Sequence, residues 1–249
     1  MVQFWKTKLA IMKNYTITIL IFFLTSSIAS AQGTSDFFSK TDAFLKANVK
    51  NGLVDYKTIH DDPSELDTLL EMAKTITVST DKAKAYQSFW INAYNLAVIK
   101  GVTNNYPLKS PLDVNGFFDK TTYNLGGIAI TLNDIENKML RAKFPKEARF
   151  HFVLVCGGLG CPPIIDSAYK PATLEEQLTR QTTKALNNPA FIQVNKNKVK
   201  ISQIFEWYKG DFEHGGNVVD FINTYKSEKL PEKAKVSYYP YDWTLNEIK

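Results

Sequence analysis

From Ala83 to Ile99 the chain reads AKAYQSFWINAYNLAVI, with apolar residues at nearly every position. A stretch with no polar face predicts a helix buried on all sides. Its polar exceptions, Ser88, Asn92 and Asn95, recur at i, i+4 and i+7 and form a single stripe. An amide buried without partners costs about 1–3 kcal/mol, so the stripe is expected to meet hydrogen-bonding groups. Either it fastens neighbouring loops through side-chain-to-backbone bonds, or it lines a site.

The other elements follow from their own periodicity. Residues 36–49 carry Phe37, Phe38, Phe44 and Leu45 and read as a helix ended by Gly52. Asp62-Pro63-Ser64-Glu65 is a helix start, followed by Leu66, Leu69, Leu70 and Ala73 on one face. Two β-branched runs flank Gly126-Gly127 within Thr122–Thr131, a hairpin signal. Asn133 and Glu136 have the spacing of a capping box, so capping competes with a catalytic carboxylate as the role of Glu136. Thr173 and Glu176 begin another helix, which stops near Asn188-Pro189. A second hairpin is expected around Asn195-Lys196-Asn197, then a short aromatic helix over Ser202–Tyr208 and a longer one over Asn217–Tyr225. Lys235–Asn246 holds a strand that Pro240 assigns to a sheet edge.

Between these lies RFHFVLVCGGLGCPP, Arg149–Pro163. Its first seven residues are β-branched and aromatic enough to predict a buried strand that breaks at Cys156 into Gly157-Gly158-Leu159-Gly160. The glycines open backbone conformations closed to other residues, so N–H groups could face a small concavity there. Helices first, then hairpins and one long strand, without strict strand–helix alternation, indicate an α+β domain. The expected arrangement is an antiparallel sheet packed on the Ala83–Ile99 helix, with further helices outside. By analogy alone this outline is similar to papain-like and transglutaminase-like enzymes, whose cysteine begins the buried helix; Gln87 and Ser88 stand there in this chain.

The N-terminus changes the picture of location. Lys6, Lys8 and Lys13, an apolar run from Tyr15 to Leu24, and Ala29-Ser30-Ala31 have the order of a secretory signal peptide. Residues 1–31 are therefore expected to be cleaved, leaving 32–249 as one domain, exported to the periplasm or the outside and without a stable membrane anchor. Cleavage removes three lysines and no carboxylate, so the net charge falls from +5 to +2. That balance gives no reason to expect nucleic acid as a partner. No internal repeat or low-complexity linker divides the mature chain.

Chemistry concentrates at the glycine turn. Cys156 and Cys161 are the protein's two cysteines, and His151 is one of three histidines. In an exported chain such a pair forms a structural disulfide, a redox-active pair, or two unpaired thiols. Strand parity would put His151 on the face away from Cys156, so direct pairing needs a bulge. His151 is thus either a core residue or a base, and His214, close to Asp211, is an alternative base. The spacing of His151, Cys156 and Cys161 is not that of common zinc sites, and no metal is assigned. Phosphate loops, dinucleotide fingerprints and HExxH are missing from the sequence, so no cofactor is implied. Trp207, Tyr208, Tyr241 and Trp243 are read as core aromatics.

FWINAYN at Phe89–Asn95, the Ile135-Glu136 pair and HFVLVC…CPP at His151–Pro163 resemble the domain of unknown function family 547. ISQIFEWYKGDF at Ile201–Phe212 and YDWTLN at Tyr241–Asn246 extend that resemblance in order over residues 54–246. The family occurs in bacterial exported proteins and as a module in plant proteins, and the resemblance implies no established activity. Glycines here replace serine found in the turn of some relatives, leaving the thiols as its side-chain chemistry. The candidate catalytic residues are Cys156, Cys161, His151 and Glu136; the candidate binding residues are Ser88, Asn92, Asn95, Gly157, Gly158 and Asp211. Three classes of function stay open: a thiol-dependent enzyme, a module binding a small molecule or peptide, and a scaffold. The oligomeric state is left open too.

Overall fold

The computed structural model describes residues 32–249, so the expected signal peptide lies outside the described residues. A first helix, α1, covers 32–48, and the short pair β1 (Val49–Lys50) and β2 (Leu53–Val54) follows it. Helices α2 (Tyr56–Asp61), α3 (Ser64–Thr75) and α4 (Ala83–Asn104) come next. The hairpin β3 (Thr122–Leu125) and β4 (Ile128–Thr131) leads into α5 (Leu132–Asp134), which widens into a π-helical stretch, Ile135–Arg141. After the glycine turn come α6 (Leu174–Leu186), β5 (Ile192–Asn195) and β6 (Lys198–Ser202). Short helices α7 (Ile204–Trp207) and α8 (Lys209–Phe212), then α9 (Val218–Tyr225) and β7 (Lys235–Tyr239), complete the order.

The class is α+β, and among the described residues the strands make three small sheets: β1–β2, β3–β4 and β5–β6–β7. The first two are antiparallel, as is β5–β6, while β7 joins β6 in parallel at the edge. Both glycine-signalled and asparagine-signalled hairpins form where expected. Gly126 and Gly127 also donate their N–H groups to the carbonyls of Ala73 and Lys74, closing the C-terminal end of α3.

Helix α4 is the centre of the larger hydrophobic cluster and packs against α2, α3 and the π-helical stretch. Sixteen of its 22 residues are buried, which explains why no amphipathic period is visible in its sequence. A second cluster gathers Phe152, Phe191, Phe205, Phe212, Val199 and Ile201 around the three-stranded sheet. Most of its rings meet edge-on or tilted, as in Phe152–Phe191 at 6.2 Å and Phe205–Phe212 at 4.6 Å, while Phe152 and Phe221 stack at 6.1 Å.

The expected central strand over Arg149–Val155 does not form. Ala148–Phe152 is a 3-10 turn, and Val153–Val155 continues as irregular chain. Residues 150–155 are buried together, with Phe150 in one cluster and Phe152 in the other, so the segment is the seam between them. Phe150, Val153 and Leu154 donate their N–H groups within the turn itself, to the carbonyls of Glu147, Phe150 and Phe150. An apolar run buried on every side looks the same in sequence whether it is a strand or a turn.

The polar stripe of α4 resolves into a set of clamps. Asn95 donates from Nδ2 to the Val153 carbonyl at 2.9 Å and accepts from the Val155 N–H at 2.9 Å. Asn92 does the same for Tyr169, donating to its carbonyl at 2.7 Å and accepting its N–H at 3.0 Å. Ser88 Oγ is buried and has no hydrogen-bond partner. Replacement Asn95→Ala leaves a buried carbonyl and N–H unpaired and is expected to cost about 2–4 kcal/mol. Ser88→Ala, which strands nothing, is expected to stay within about 0.5 kcal/mol of the parent. Urea midpoints of the two variants check the pair; equal losses would contradict the clamp.

Candidate functional site

The glycine turn is built against the C-terminal tail. Gly160 and Leu159 donate to the carbonyls of Asp242 at 2.7 Å and Thr244 at 2.8 Å, and Asn246 donates to the Gly157 carbonyl at 2.9 Å. Asn246 is anchored in turn by the Tyr56 hydroxyl, 2.8 Å from its Oδ1. This pairing accounts for the glycines. Gly157 has φ of +84°, and a Cβ on Gly160 would lie 2.9 Å from the Asp242 nitrogen and from the Tyr241 ring. The expectation of N–H groups facing a concavity is therefore corrected: those of Leu159 and Gly160 are spent on the tail.

What the turn encloses is a pair of half-buried thiols. Cys156 and Cys161 are free, with their sulphurs 2.7 Å apart. Cys161 receives a backbone donor, the Cys156 N–H at 3.0 Å, and the Gly158 N–H favours the anionic form of Cys156. The Tyr241 hydroxyl reaches both, at 3.0 Å from Cys156 and 2.8 Å from Cys161. Burial alone would raise the Cys156 thiol, but hydrogen bonds from Cys161, Tyr241 and Gly158 outweigh it and bring the group below an ordinary thiol. Burial and the neighbouring Cys156 charge push Cys161 well up. The two sulphurs titrate as a pair: once one is a thiolate, its charge holds the other as a thiol.

A second polar group stands nearby. His151 is buried in the 3-10 turn, with Nε2 2.7 Å from Asp211 Oδ2 and its ring stacked on Tyr208 at 4.0 Å. Arg141 donates from Nε to the same carboxylate at 2.6 Å and lies over the Tyr208 ring, 4.8 Å from its centre. Burial and the Glu136 charge push the Tyr208 hydroxyl well up, and Glu136 also acts electrostatically on Cys156. In a π-helix residues five apart are one turn apart, so Glu136 and Arg141 both meet Tyr208. Burial raises the Asp211 carboxyl, but bonds from His151 and Arg141 hold it far below the usual carboxylate range.

The sequence-derived candidates thus separate. Cys156, Cys161, Gly157 and Gly158 form the thiol turn, while Glu136, His151 and Asp211 converge on Tyr208. His151 makes no hydrogen bond to either sulphur, and the strand-parity argument about it lapses with the strand. Glu136 is not a capping residue, because Thr131 caps α5 by accepting the Asp134 N–H at 3.1 Å. Asn92, Asn95 and Ser88 do not line the thiols; Asn95 acts one step away, on the backbone that delivers Cys156. His60 and His214 are exposed.

Tyr241, Tyr208 and Arg141 were not among the candidates. Aromatic composition gives Tyr241 the reading of a core residue, and no local pattern joins it to cysteines 80 and 85 positions upstream. The signal available was the glycine spacing, which requires some backbone to approach the turn closely.

Residues 78–185 match the family model described as "Protein of unknown function, DUF547", so this stretch is a DUF547-family domain. The match includes Glu136, His151 and both cysteines; Tyr208, Asp211 and Tyr241 come from the chain beyond it. No curated protein and no solved structure matches the chain.

The depressed Asp211 carboxyl carries a pH dependence. Its contribution to stability is complete above its unfolded value of about 3.9 and is lost as pH falls toward its folded one. Asp211→Asn is expected to cost about 2 kcal/mol at pH 7 and to flatten the fall in stability between about pH 5 and pH 2. Thermal melts across that window check it; parallel curves for parent and variant would contradict the assignment.

Proposed function

We propose that this chain, which carries a DUF547 domain over residues 78–185, is a thiol-dependent enzyme whose Cys156–Cys161 pair exchanges with disulfides. The observation that carries the reading is the sulphur pair itself. Two free, half-buried thiols stand 2.7 Å apart, one with its pKa lowered and the other with its pKa raised. A lowered thiol is the attacking group of thiol–disulfide exchange, and a raised neighbour is a resolving group that waits for the first step.

The chemistry balances with the residues present and a disulfide of a small molecule or peptide as oxidant. The Cys156 thiolate attacks one substrate sulphur, a new S–S bond forms, and the other substrate sulphur leaves as a thiolate. Cys161 then gives up its proton and attacks the Cys156 sulphur, releasing the second substrate thiol. The substrate gains two electrons, and the protein pair becomes a disulfide. A dithiol reductant restores the starting pair.

Export forms part of the proposal. Lys6, Lys8, Lys13, the apolar run and Ala29-Ser30-Ala31 support delivery to a compartment in which disulfides persist. Disulfide exchange also suits a centre in which the Cys156 N–H and the Tyr241 hydroxyl both meet sulphur.

The test is a redox titration of the mature chain in glutathione buffers of graded ratio, quenched in acid and alkylated for mass spectrometry. A single reversible two-electron transition, shared by Cys156 and Cys161, is expected. Thiols that stay fully alkylatable in excess oxidised glutathione would exclude the enzyme reading. A pair that oxidises once and then resists dithiothreitol would point to a binding or scaffold module instead.

A further inference from the structure

The backbone donors at the thiol centre serve one sulphur each. The Gly158 N–H favours the Cys156 anion, and the Cys156 N–H donates to Cys161 at 3.0 Å. Both are fixed by the chain and cannot exchange targets. Tyr241 differs, because its hydroxyl lies 3.0 Å from one sulphur and 2.8 Å from the other. A phenolic O–H turns about its C–O bond at little cost, so one group can serve either sulphur without moving its ring.

We propose that Tyr241 is a catalytic residue of this centre, a rotating donor that stabilises first the Cys156 thiolate and then the Cys161 thiolate. The proposal rests on the disulfide-exchange reading and assigns a role to a residue that reading does not require. In the first half-reaction the O–H points at Cys156, whose electron pair forms the bond to the substrate sulphur. That sulphur's former partner leaves and takes its proton from water. Once Cys156 is in the mixed disulfide it carries no charge, and the O–H turns to Cys161. Cys161 loses its proton to solvent, its electron pair closes the bond to Cys156, and the second substrate sulphur leaves as a thiolate that takes a proton from water. Tyr241 keeps its own proton throughout.

The ring is held where this requires. It packs on Trp207 at 5.1 Å and Trp243 at 4.8 Å, and the Tyr241 N–H donates to Gln203 Oε1 at 2.8 Å. The next residue, Asp242, is tied to the turn through the Gly160 N–H. Ring and sulphurs are therefore parts of one braced unit, with the hydroxyl hydrogen as the moving part. Burial, reinforced by the charges of Cys161 and Cys156, pushes the phenol well above its ordinary value, which keeps it a donor.

The test compares the mature chain with its Tyr241→Phe variant. Alkylation by iodoacetamide is followed against pH, with the two cysteines separated by peptide mapping. Loss of one charge-assisted hydrogen bond is expected to move the Cys156 midpoint up by about one pH unit, a tenfold loss of thiolate at neutral pH. The rate at which a small aromatic disulfide closes the Cys156–Cys161 bond is expected to fall about tenfold. An unchanged midpoint and an unchanged closing rate in a folded variant overturn the proposal while leaving disulfide exchange in place. A parent chain that never closes the bond removes the exchange reading, and the catalytic role with it. Should the variant not fold, tyrosine labelled at Cζ in the parent gives the same answer by NMR. The Tyr241 signal is expected to follow the Cys156 titration and to stay still in Cys156→Ser; a signal indifferent to that titration overturns the proposal.

Discussion

The position of the Cys156 sulphur depends on one amide. Asn95 holds the carbonyl of Val153 and the N–H of Val155 with the two ends of its side chain, as a neighbouring strand would. Those groups belong to residues one and three positions before Cys156, and Asn95 stands on a helix with core on every side. The rigidity of α4 is thereby passed to a segment that has no sheet to support it. On the far side of the turn the tail supplies the matching constraint through its bonds to residues 157–160. The thiols sit between a helix and a C-terminal segment that meet nowhere in sequence.

Much of this was legible beforehand because it is local or periodic. The burial of α4 followed from an apolar run with no solvent face, and the hairpins followed from Gly126-Gly127 and Asn195-Lys196-Asn197. The asparagine stripe was correctly expected to demand partners, since an unpaired buried amide is costly. What the stripe would meet was beyond reach, because Val153 and Tyr169 lie 58 and 77 residues from the asparagines that hold them. The failed strand has the same origin. Hydrophobic content says that Phe150–Val155 is buried, and only tertiary partners decide whether its backbone pairs with a strand or with Asn95.

The candidate site was half visible for a similar reason. Cysteines five apart around glycines are a local signal, and they led to the thiol turn directly. The groups that tune the thiols are not local. Tyr241 reaches the sulphurs from the tail, and Glu136 is turned toward Tyr208 by a π-helical stretch that the capping-box spacing gave no hint of. Thr131 takes the cap, and Glu136 is freed for the charge network around Tyr208, His151, Asp211 and Arg141. That network lies close enough to Cys156 to influence it, yet it is hydrogen-bonded separately from the sulphurs.

The central claim is that the two sulphurs have different roles, with Cys156 attacking and Cys161 resolving. Intact-mass analysis of Cys161→Ser and Cys156→Ser chains after exposure to a small disulfide tests it most directly. The account predicts a stable mixed disulfide on Cys156 in the first variant and far slower labelling of Cys161 in the second. Equal labelling of both, or none in either, would contradict it.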